Sequence, residues 1–139
     1  MVRIELGDWG SMRRWAEPIR FEVFVEEQKV PRELELDDWD VQCVHAVAFD
    51  EEGSAVGTGR LLPDGHIGRM AVLERARGSG TGSELLTCLM AEAKRRGLAE
   101  AVLSAQTHAV PFYERHGYSP SGAEYLDAGI PHIDMRRPL

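Results

Sequence analysis

The stretch Arg77–Gly82, with the sequence Arg-Gly-Ser-Gly-Thr-Gly, constrains the fold of this chain more than any other. Its three glycines alternate with other residues, an apolar run ends before it at Val72, and a helical run begins after it near Ser83. Glycines let the backbone turn sharply and leave main-chain N–H groups open to a ligand. Because the first N–H groups of a helix lack partners and carry partial positive charge, the sequence predicts a phosphate-binding loop, with Arg77 adding charge at its rim.

Two widespread phosphate-binding motifs do not match this loop. A Walker A loop, G-x-x-x-x-G-K-S/T, requires a lysine that the stretch lacks. A dinucleotide fingerprint, G-x-G-x-x-G, needs a third glycine where Ser83 stands, and the next strand leads to Gln106 rather than to an acidic residue. A glycine loop with a purely structural role remains an alternative.

Length and composition exclude several classes of protein. The 139 residues predict a single domain over 1–139, and the net charge of -7 argues against a nucleic-acid partner. No apolar run approaches the roughly 18 residues that span a bilayer, and the N-terminal residues lack a targeting pattern. We therefore expect a cytoplasmic protein with no membrane partner. The histidines show no metal-ligand spacing and Cys43 and Cys88 lie far apart, so we expect no metal site and no disulfide framework.

Acidic residues are concentrated between Glu17 and Asp40. This segment holds nine acidic residues against three basic ones, which accounts for almost the whole excess of negative charge. A run of this kind is usually a solvated surface. The functional alternative is a field that attracts a cationic partner such as an amine.

The hydrophobic patterns predict an α/β fold with a mixed sheet and the element order β α α β β β α β α β β. Ser11 is predicted to cap a short first helix, and Pro18 to begin a second helix that Val30-Pro31 ends. The predicted strands are Val2–Leu6, Val41–Phe49, Ser54–Leu62, His66–Val72, Ala101–Ala105, Tyr118–Tyr125 and Ile130–Arg136.

The helix after the glycine loop has the clearest pattern. Its apolar residues recur at helical spacing and predict a face packed on the core. They are Leu85, Leu86, Leu89, Met90 and Ala93. Because a strand-loop-helix unit joins them, the strands His66–Val72 and Ala101–Ala105 are predicted to lie parallel.

Two stretches resemble the GNAT superfamily of acetyl-coenzyme A dependent N-acetyltransferases. Arg77, Gly80 and Gly82 match its motif R/Q-x-x-G-x-G/A, and residues 106–118 are similar to its segment N-x-x-A-x-x-F-Y-x-x-x-G-F/Y. Residues 20–31 and 129–135 further resemble the small, single-domain ElaA-like branch. The resemblance covers essentially the whole chain. It implies a mostly antiparallel sheet with helices on both faces, in which the parallel fourth and fifth strands splay apart.

The resemblance also implies a site for acetyl-coenzyme A. The pantetheine arm would lie between the splayed strands and pair with the main chain of Met70, Ala71 and Val72, and the pyrophosphate would bind the glycine loop. Gln106 stands where the family usually has asparagine. The implied coenzyme-binding residues are Met70, Ala71, Val72, Arg77, Gly78, Ser79, Gly80, Thr81, Gly82, Ser83, Gln106, Phe112 and Tyr113.

Transfer of an acetyl group to an amine needs a neutral amine, a polarised carbonyl and a proton for the thiolate. A main-chain N–H near Val72 is expected to polarise the carbonyl, and Tyr113 is expected to be the general acid, as in many relatives. Glu27 is the leading candidate for the general base, with His108 and His132 as alternatives. The expected acceptor-binding residues are Phe24, Glu27, Asp37, His108 and His132.

The expected acceptor is a primary amine of a small molecule or a peptide. The alternative function is a non-catalytic acyl-coenzyme A binding module that acts through protein contacts. Strand edges at the C-terminal end suggest a homodimer.

Overall fold

The structure, a computed structural model, describes residues 2–139. Its strands are β1 Arg3–Gly7, β2 Val44–Phe49, β3 Ala55–Leu61, β4 His66–Val72, β5 Glu100–Gln106, β6 Ser119–Asp127 and β7 Ile130–Pro138. Its α-helices are α1 Trp9–Arg20, α2 Arg32–Glu35, α3 Thr81–Arg95 and α4 Val110–Arg115, and a π-helix follows α1 over Phe21–Glu27. No helix among residues 2–139 is both long and apolar enough to span a membrane.

The strands form one mixed sheet in the order β1-β2-β3-β4-β5-β7-β6. Every neighbouring pair is antiparallel except β4 and β5, which are parallel and joined through α3. The predicted fold class and the parallel pair are therefore confirmed. All nine β6 residues are exposed, so this edge of the sheet is open, and the homodimer stays a prediction.

Helices cover both faces of the sheet. Ala46 and Ala48 of β2 belong to the cluster that holds the predicted apolar face of α3, whereas Val47 and Phe49 pack with α1. Because successive strand residues point to opposite faces, α1 and α3 lie on opposite sides of the sheet. Four of the five predicted α3 residues are buried, and Met90 packs at the edge of the same core.

The helix that begins at Trp9 differs from the sequence prediction. Asp8, and not Ser11, caps it: the Asp8 carboxylate accepts a hydrogen bond from the Ser11 backbone N–H at 2.8 Å. Ser11 is therefore the third residue of the helix, where an N–H group needs a cap. Pro18 does not begin a second helix but lies inside α1, which continues into the π-helix at Phe21. Both predictions were wrong: serine occurs in the first turn of a helix as well as at its N-cap, and proline can be accommodated inside a helix although it is favoured at the start.

Gly57 of β3 lets α3 pack closely on the sheet. A Cβ atom at this position would lie 2.9 Å from the Leu85 Cδ1 atom and 3.3 Å from the Ala71 carbonyl oxygen. We therefore expect Gly57→Ala to lower the free energy of unfolding by about 1–3 kcal/mol, since an added methyl group strains a core that is already well packed. Chemical denaturation measures the change. Gly68→Ala is the control, because nothing lies within 4 Å of a Cβ there, and equal losses in the two variants would contradict this explanation.

Candidate active site

The sheet opens between β4 and β5. These strands pair only at His66–Val102 and Ile67–Leu103, so the β4 edge from Gly68 to Val72 has no strand partner on this side. A cavity of about 580 Å³ lies along this edge, and its walls come from the π-helix, β4, the end of β5 and the segment that follows β5. The lining of the cavity includes Met70, Ala71 and Val72, the residues that the family resemblance implied for the pantetheine arm.

A bulge interrupts β4 beside the cavity. Thr58 pairs with Ala71 and Arg60 with Gly68, so two β4 residues, Arg69 and Met70, stand opposite one residue of β3. Arg69 has a φ angle of 47°, a left-handed conformation that costs a non-glycine residue of order 1–3 kcal/mol. The bulge therefore re-aims the β4 backbone within the lining of the cavity.

The glycine loop has the geometry of an anion site. Gly78 and Gly80 have φ angles of 80° and 87°, and nothing lies within 4 Å of a Cβ atom at either position. Gly80 is the N-cap of α3, and no side chain caps the helix. The first N–H groups of this 15-residue helix therefore have no side-chain cap, and the loop fits a phosphate group. Gly82 lies within α3, with the Phe112 ring 3.5 Å from a Cβ atom built there.

Hydroxyl groups fix the loop and the start of α3. The Ser79 hydroxyl donates to the Ala76 carbonyl oxygen at 2.7 Å and lies 3.2 Å from the Thr81 hydroxyl. The Ser83 hydroxyl lies 2.9 Å from Nε2 of His116, at the end of α4. Burial, with help from Arg115 and Arg137, lowers the pKa of His116. His116 was not among the sequence-predicted site residues, because its link to Ser83 depends on how α4 packs.

Arg77 bonds two other parts of the protein through its side chain and lines the cavity. Its Nε donates to the Val72 carbonyl oxygen at 2.9 Å, and its Nη2 donates to Glu27 Oε1 at 2.8 Å. The guanidinium group thus joins the end of β4 to the end of the π-helix. Glu27, the expected general base, therefore forms an ion pair with Arg77, the residue expected to bind the phosphate.

A second link crosses the cavity next to this ion pair. The side-chain amides of Gln28 and Gln106 donate to each other, at 3.2 and 2.8 Å. Gln106 thus has a protein partner where the family resemblance suggested a coenzyme contact. Gln28 was missed as a site residue, because its partner lies 78 positions away in the sequence.

Tyr113 lies in α4 and lines the same cavity. Its ring meets Phe112 and Tyr118 edge-on, with ring centroids 5.1 and 5.9 Å away. Burial raises the pKa of Tyr113 to about 12. The phenol therefore keeps its proton throughout the physiological range, which is the form that a general acid requires.

Four of the five predicted acceptor-binding residues line the cavity: Phe24, Glu27, His108 and His132. His132 is buried, its Nδ1 lies 2.7 Å from the Ile130 carbonyl oxygen, and its ring stacks on Tyr125. His108 is exposed. Asp37 is not in the lining of the cavity.

The acidic segment is only in part the solvated surface that its composition suggested, because five of its nine acidic residues are exposed and two, Glu35 and Asp40, are buried. Asp37 is bonded to Arg60 and Arg69, and Asp40 is bonded to Arg20 and Arg60. Burial opposes ionisation of Asp40, but the bonds from both arginines hold its pKa below the usual value. The prediction that Asp37 binds the acceptor is therefore corrected: Asp37 belongs to this ion-pair network, because two guanidinium groups bond its carboxylate.

Glu35 completes the network, and it also lines the cavity together with Arg60 and Arg69. Its side chain is bonded to Arg20, and both residues are buried. These cavity residues leave no signal in the sequence, since only the folded chain brings the arginines of α1, β3 and β4 to the acidic segment. Among residues 2–139, no three His, Cys, Asp or Glu side chains converge in a way that could hold a metal ion.

The sheet order, the opened pair of parallel strands and the glycine loop before α3 together define an acetyltransferase fold. A model of the acetyltransferase (GNAT) domain matches residues 16–139. This match covers most of the chain, which therefore belongs to the GNAT acetyltransferase family.

Individual relatives agree with this result. The chain is 43% identical over 123 residues to the uncharacterized N-acetyltransferase YjcF of Bacillus subtilis, a match that covers 86% of this chain and 87% of YjcF. It is similar in structure to an acyl-CoA N-acyltransferase from Pseudomonas aeruginosa, with a TM-score of 0.87, 32% identity and 99% of both chains covered. Escherichia coli ElaA gives a TM-score of 0.86 at 26% identity, again over 99% of both chains, which agrees with the predicted ElaA-like branch.

Proposed function

We propose that this chain transfers the acetyl group of acetyl-coenzyme A to a primary amine of a small molecule or a peptide. The observation that carries the proposal is the uncapped start of α3 together with the unpaired edge of β4, the strand that precedes it. Together they offer N–H groups for a pyrophosphate and a free strand edge for pantetheine within one chain. The names of the relatives YjcF and the Pseudomonas aeruginosa acyltransferase support N-acyl transfer.

The residues present fit acetyl-coenzyme A in two places. Gly78 and Gly80 leave open space beside the first N–H groups of α3, where the pyrophosphate would be held. Met70, Ala71 and Val72 would pair with the pantetheine arm, because their strand edge has no partner from β5. Bound there, acetyl-coenzyme A supplies an activated acyl group.

The reaction joins the amine nitrogen to the acetyl carbon and breaks the C–S bond of the thioester. Tyr113 would give its proton to the thiolate. The protonated amine loses two protons in all: the first would pass through water to Glu27 before the attack, and the second would return to Tyr113. A main-chain N–H of the β4 bulge would donate to the carbonyl oxygen as negative charge develops there. Holding both reactants in one cavity supplies much of the acceleration.

Glu27 is the proposed proton acceptor. Arg77 bonds its Oε1 atom, and no residue of the described chain bonds its Oε2 atom, which leaves one oxygen to take a proton through water. Glu27 lines the cavity and lies at the end of the π-helix, beside the link between Gln28 and Gln106. The ion pair keeps this carboxylate in place.

The proposal is tested by measuring thiol release from acetyl-coenzyme A against a panel of primary amines. A parallel thermal titration with coenzyme A measures binding by itself, because a ligand of the folded state raises the melting temperature. We expect both signals. Binding of coenzyme A without release on any amine would favour the non-catalytic module, and a flat titration would contradict both functions.

Glu27→Gln should lower kcat by about tenfold to 100-fold at neutral pH, because the amine is then mostly protonated and needs a base. The deficit should shrink as the pH approaches the pKa of the amine, since free amine needs no base. Steady-state kinetics from neutral to alkaline pH measure this. Glu26→Gln is the matched control, because Glu26 is exposed and outside the lining of the cavity. A deficit that does not change with pH would contradict the role of Glu27.

A further inference from the structure

The segment of residues 34–41 carries most of its acidic side chains inside and its apolar side chains outside. Glu35 and Asp40 are buried, and Asp37 is partly buried. The large apolar side chains between and beside them are 40–73% exposed. They are Leu34, Leu36, Trp39 and Val41, which we call the outer patch. Since apolar side chains usually fill the core, this arrangement is the reverse of the one that folding alone favours.

Exposed apolar side chains are concentrated in this segment. Seven large ones are exposed in residues 2–139, and the outer patch holds four of them within eight consecutive residues. Eight residues span at most about 28 Å even when fully extended, so one partner can cover all four. Single exposed apolar residues are ordinary, whereas a cluster with a polar rim is typical of an interaction surface.

The outer patch is held in place from its inner side. The inner acidic residues of the segment bond arginines of α1, β3 and β4. The Trp39 N–H donates to Asp37 Oδ1 at 3.1 Å, and the Trp39 carbonyl oxygen accepts from the Cys43 thiol at 3.1 Å. Because the main chain is fixed before a partner arrives, binding costs little further ordering.

The charge on the outer side of the segment is acidic. From Glu33 to Val41 the sequence contains no basic residue, and the arginines that reach the segment bond its inner acids. Glu33 and Asp38 are exposed, and no residue of the described chain bonds their side chains. Arg32, the adjacent base, lies over the Phe21 ring, 4.8 Å from its centre. The outer patch is therefore complementary to a surface that carries apolar and basic side chains.

A second copy of the chain fits the outer patch poorly. A two-fold contact would place the same patch on both sides, which brings Glu33 and Asp38 of each copy towards the other. Each copy also carries a net charge of -7. Because like charges across an interface oppose association, the charge favours a different, basic partner.

The outer patch adjoins the cavity. Leu34 belongs to both, since it also lines the cavity. Arg69, in the β4 bulge, donates to the Leu34 carbonyl oxygen at 3.4 Å and to the Glu35 carbonyl oxygen at 3.2 Å, so the start of the segment is fixed against the cavity wall. A small amine in the cavity would leave most of the outer patch uncovered, whereas a peptide that enters the cavity is long enough to lie on it as well.

We propose that the outer patch docks a polypeptide acceptor whose side chains next to the acetylated amine are apolar and basic. This assignment rests on the proposed function and narrows its acceptor to a peptide. The amine itself reacts in the cavity, where Glu27 takes its proton, so the outer patch contributes affinity and selectivity. Trp39 is expected to contribute most, because tryptophan is strongly enriched among the residues that dominate interfaces.

The test uses three synthetic peptides of equal length, each with one lysine and a blocked N-terminus. In the first peptide, leucine and arginine alternate around the lysine. The second has serine in place of leucine, and the third has glutamine in place of arginine. Fluorescence anisotropy of the labelled peptides measures binding. The natural chain should bind the first peptide about tenfold more tightly than either of the others, the size of effect that a few well-placed contacts produce.

Substitutions in and beside the outer patch separate the apolar contribution from the charged one. Trp39→Ser should weaken binding of the first peptide by about tenfold or more, to near that of the serine peptide. Glu33→Gln combined with Asp38→Asn should remove the advantage of the first peptide over the glutamine peptide but keep its advantage over the serine peptide. All three side chains are exposed, so the variants should fold, and their melting temperatures check this.

Leu6→Ser is the matched control for Leu36→Ser. The exposed fractions of the two leucines are 39 and 40%, but Leu6 lies in β1, which β2 and β3 separate from β4. Leu36→Ser should weaken binding of the first peptide severalfold, and Leu6→Ser should not. Equal binding of the three peptides to the natural chain, or equal losses in the two leucine variants, would overturn the proposal. So would a dimer of the natural chain that Trp39→Ser dissociates, because a second copy would then cover the outer patch.

Kinetics distinguish failure of this proposal from failure of the proposed function. Mass spectrometry measures acetylation of the lysine in the first peptide, and thiol release measures acetylation of benzylamine. Trp39→Ser should raise KM for the peptide about tenfold and leave its kcat, and both constants for benzylamine, unchanged. Docking without transfer to either amine would keep the docking surface and reject the proposed function. Transfer to benzylamine by a chain that does not distinguish the peptides would do the reverse.

Discussion

Tyr113→Phe is expected to lower kcat by about 100-fold while leaving the affinity for coenzyme A unchanged. The substitution removes only the phenol oxygen, and general acids typically contribute this much or more. Because burial raises the pKa of Tyr113 to about 12, the residue should be a protonated donor at every pH used in a routine assay. Steady-state kinetics and a coenzyme titration measure the two quantities separately.

Tyr118→Phe supplies the control for this experiment. Tyr118 packs edge-on against Tyr113, and its hydroxyl is enclosed without a partner among residues 2–139. Removing that hydroxyl should leave kcat unchanged and should not lower stability, because an unpaired buried hydroxyl is unfavourable. If Tyr113→Phe behaves like Tyr118→Phe, Tyr113 is an aromatic packing residue and another group protonates the thiolate.

Gly80→Asp should weaken coenzyme A binding by about 100-fold. Gly80 is the N-cap of α3 and has a left-handed backbone that aspartate tolerates. A carboxylate there would repel the pyrophosphate and compete for the same N–H groups, and two like charges about 4 Å apart cost several kcal/mol near a protein surface. Calorimetry with coenzyme A measures the loss.

Gly80→Asn separates charge from shape in the same experiment. Asparagine has nearly the same size and also tolerates the left-handed conformation, so it should lose much less affinity than aspartate. The melting temperature of each variant shows whether α3 is intact. If both variants are stable and lose the same affinity for coenzyme A, the position is sensitive to any side chain. If Gly80→Asp keeps its affinity, the pyrophosphate binds elsewhere.

The sequence could predict those elements whose pattern of residues lies within a short stretch of the chain. The strand His66–Val72 was predicted with the bounds that the structure has, because turn residues precede it and the glycine loop follows it closely. The apolar face of α3 followed from spacing alone. The parallel pairing followed from the right-handed connection through one helix.

The parts that sequence could not predict depend on tertiary contacts. Composition could not show that Asp37 and Asp40 face three arginines from α1, β3 and β4, since charge pairing across a fold leaves no local pattern. Neither could it show that Glu35 lines the cavity. The continuous helix through Pro18 was missed for a different reason, because proline is favoured at a helix start yet can be accommodated inside one.

The paired amides of Gln28 and Gln106 have a consequence for how this sequence can diverge. Each amide meets its hydrogen-bonding needs through the other, so a change at one position alone leaves a half-buried amide without its partner. Replacing both with apolar side chains of similar volume removes the two needs together and is far better tolerated. Over the history of the family, these two positions should therefore be inherited as a unit, and where one glutamine is lost the other should be lost with it.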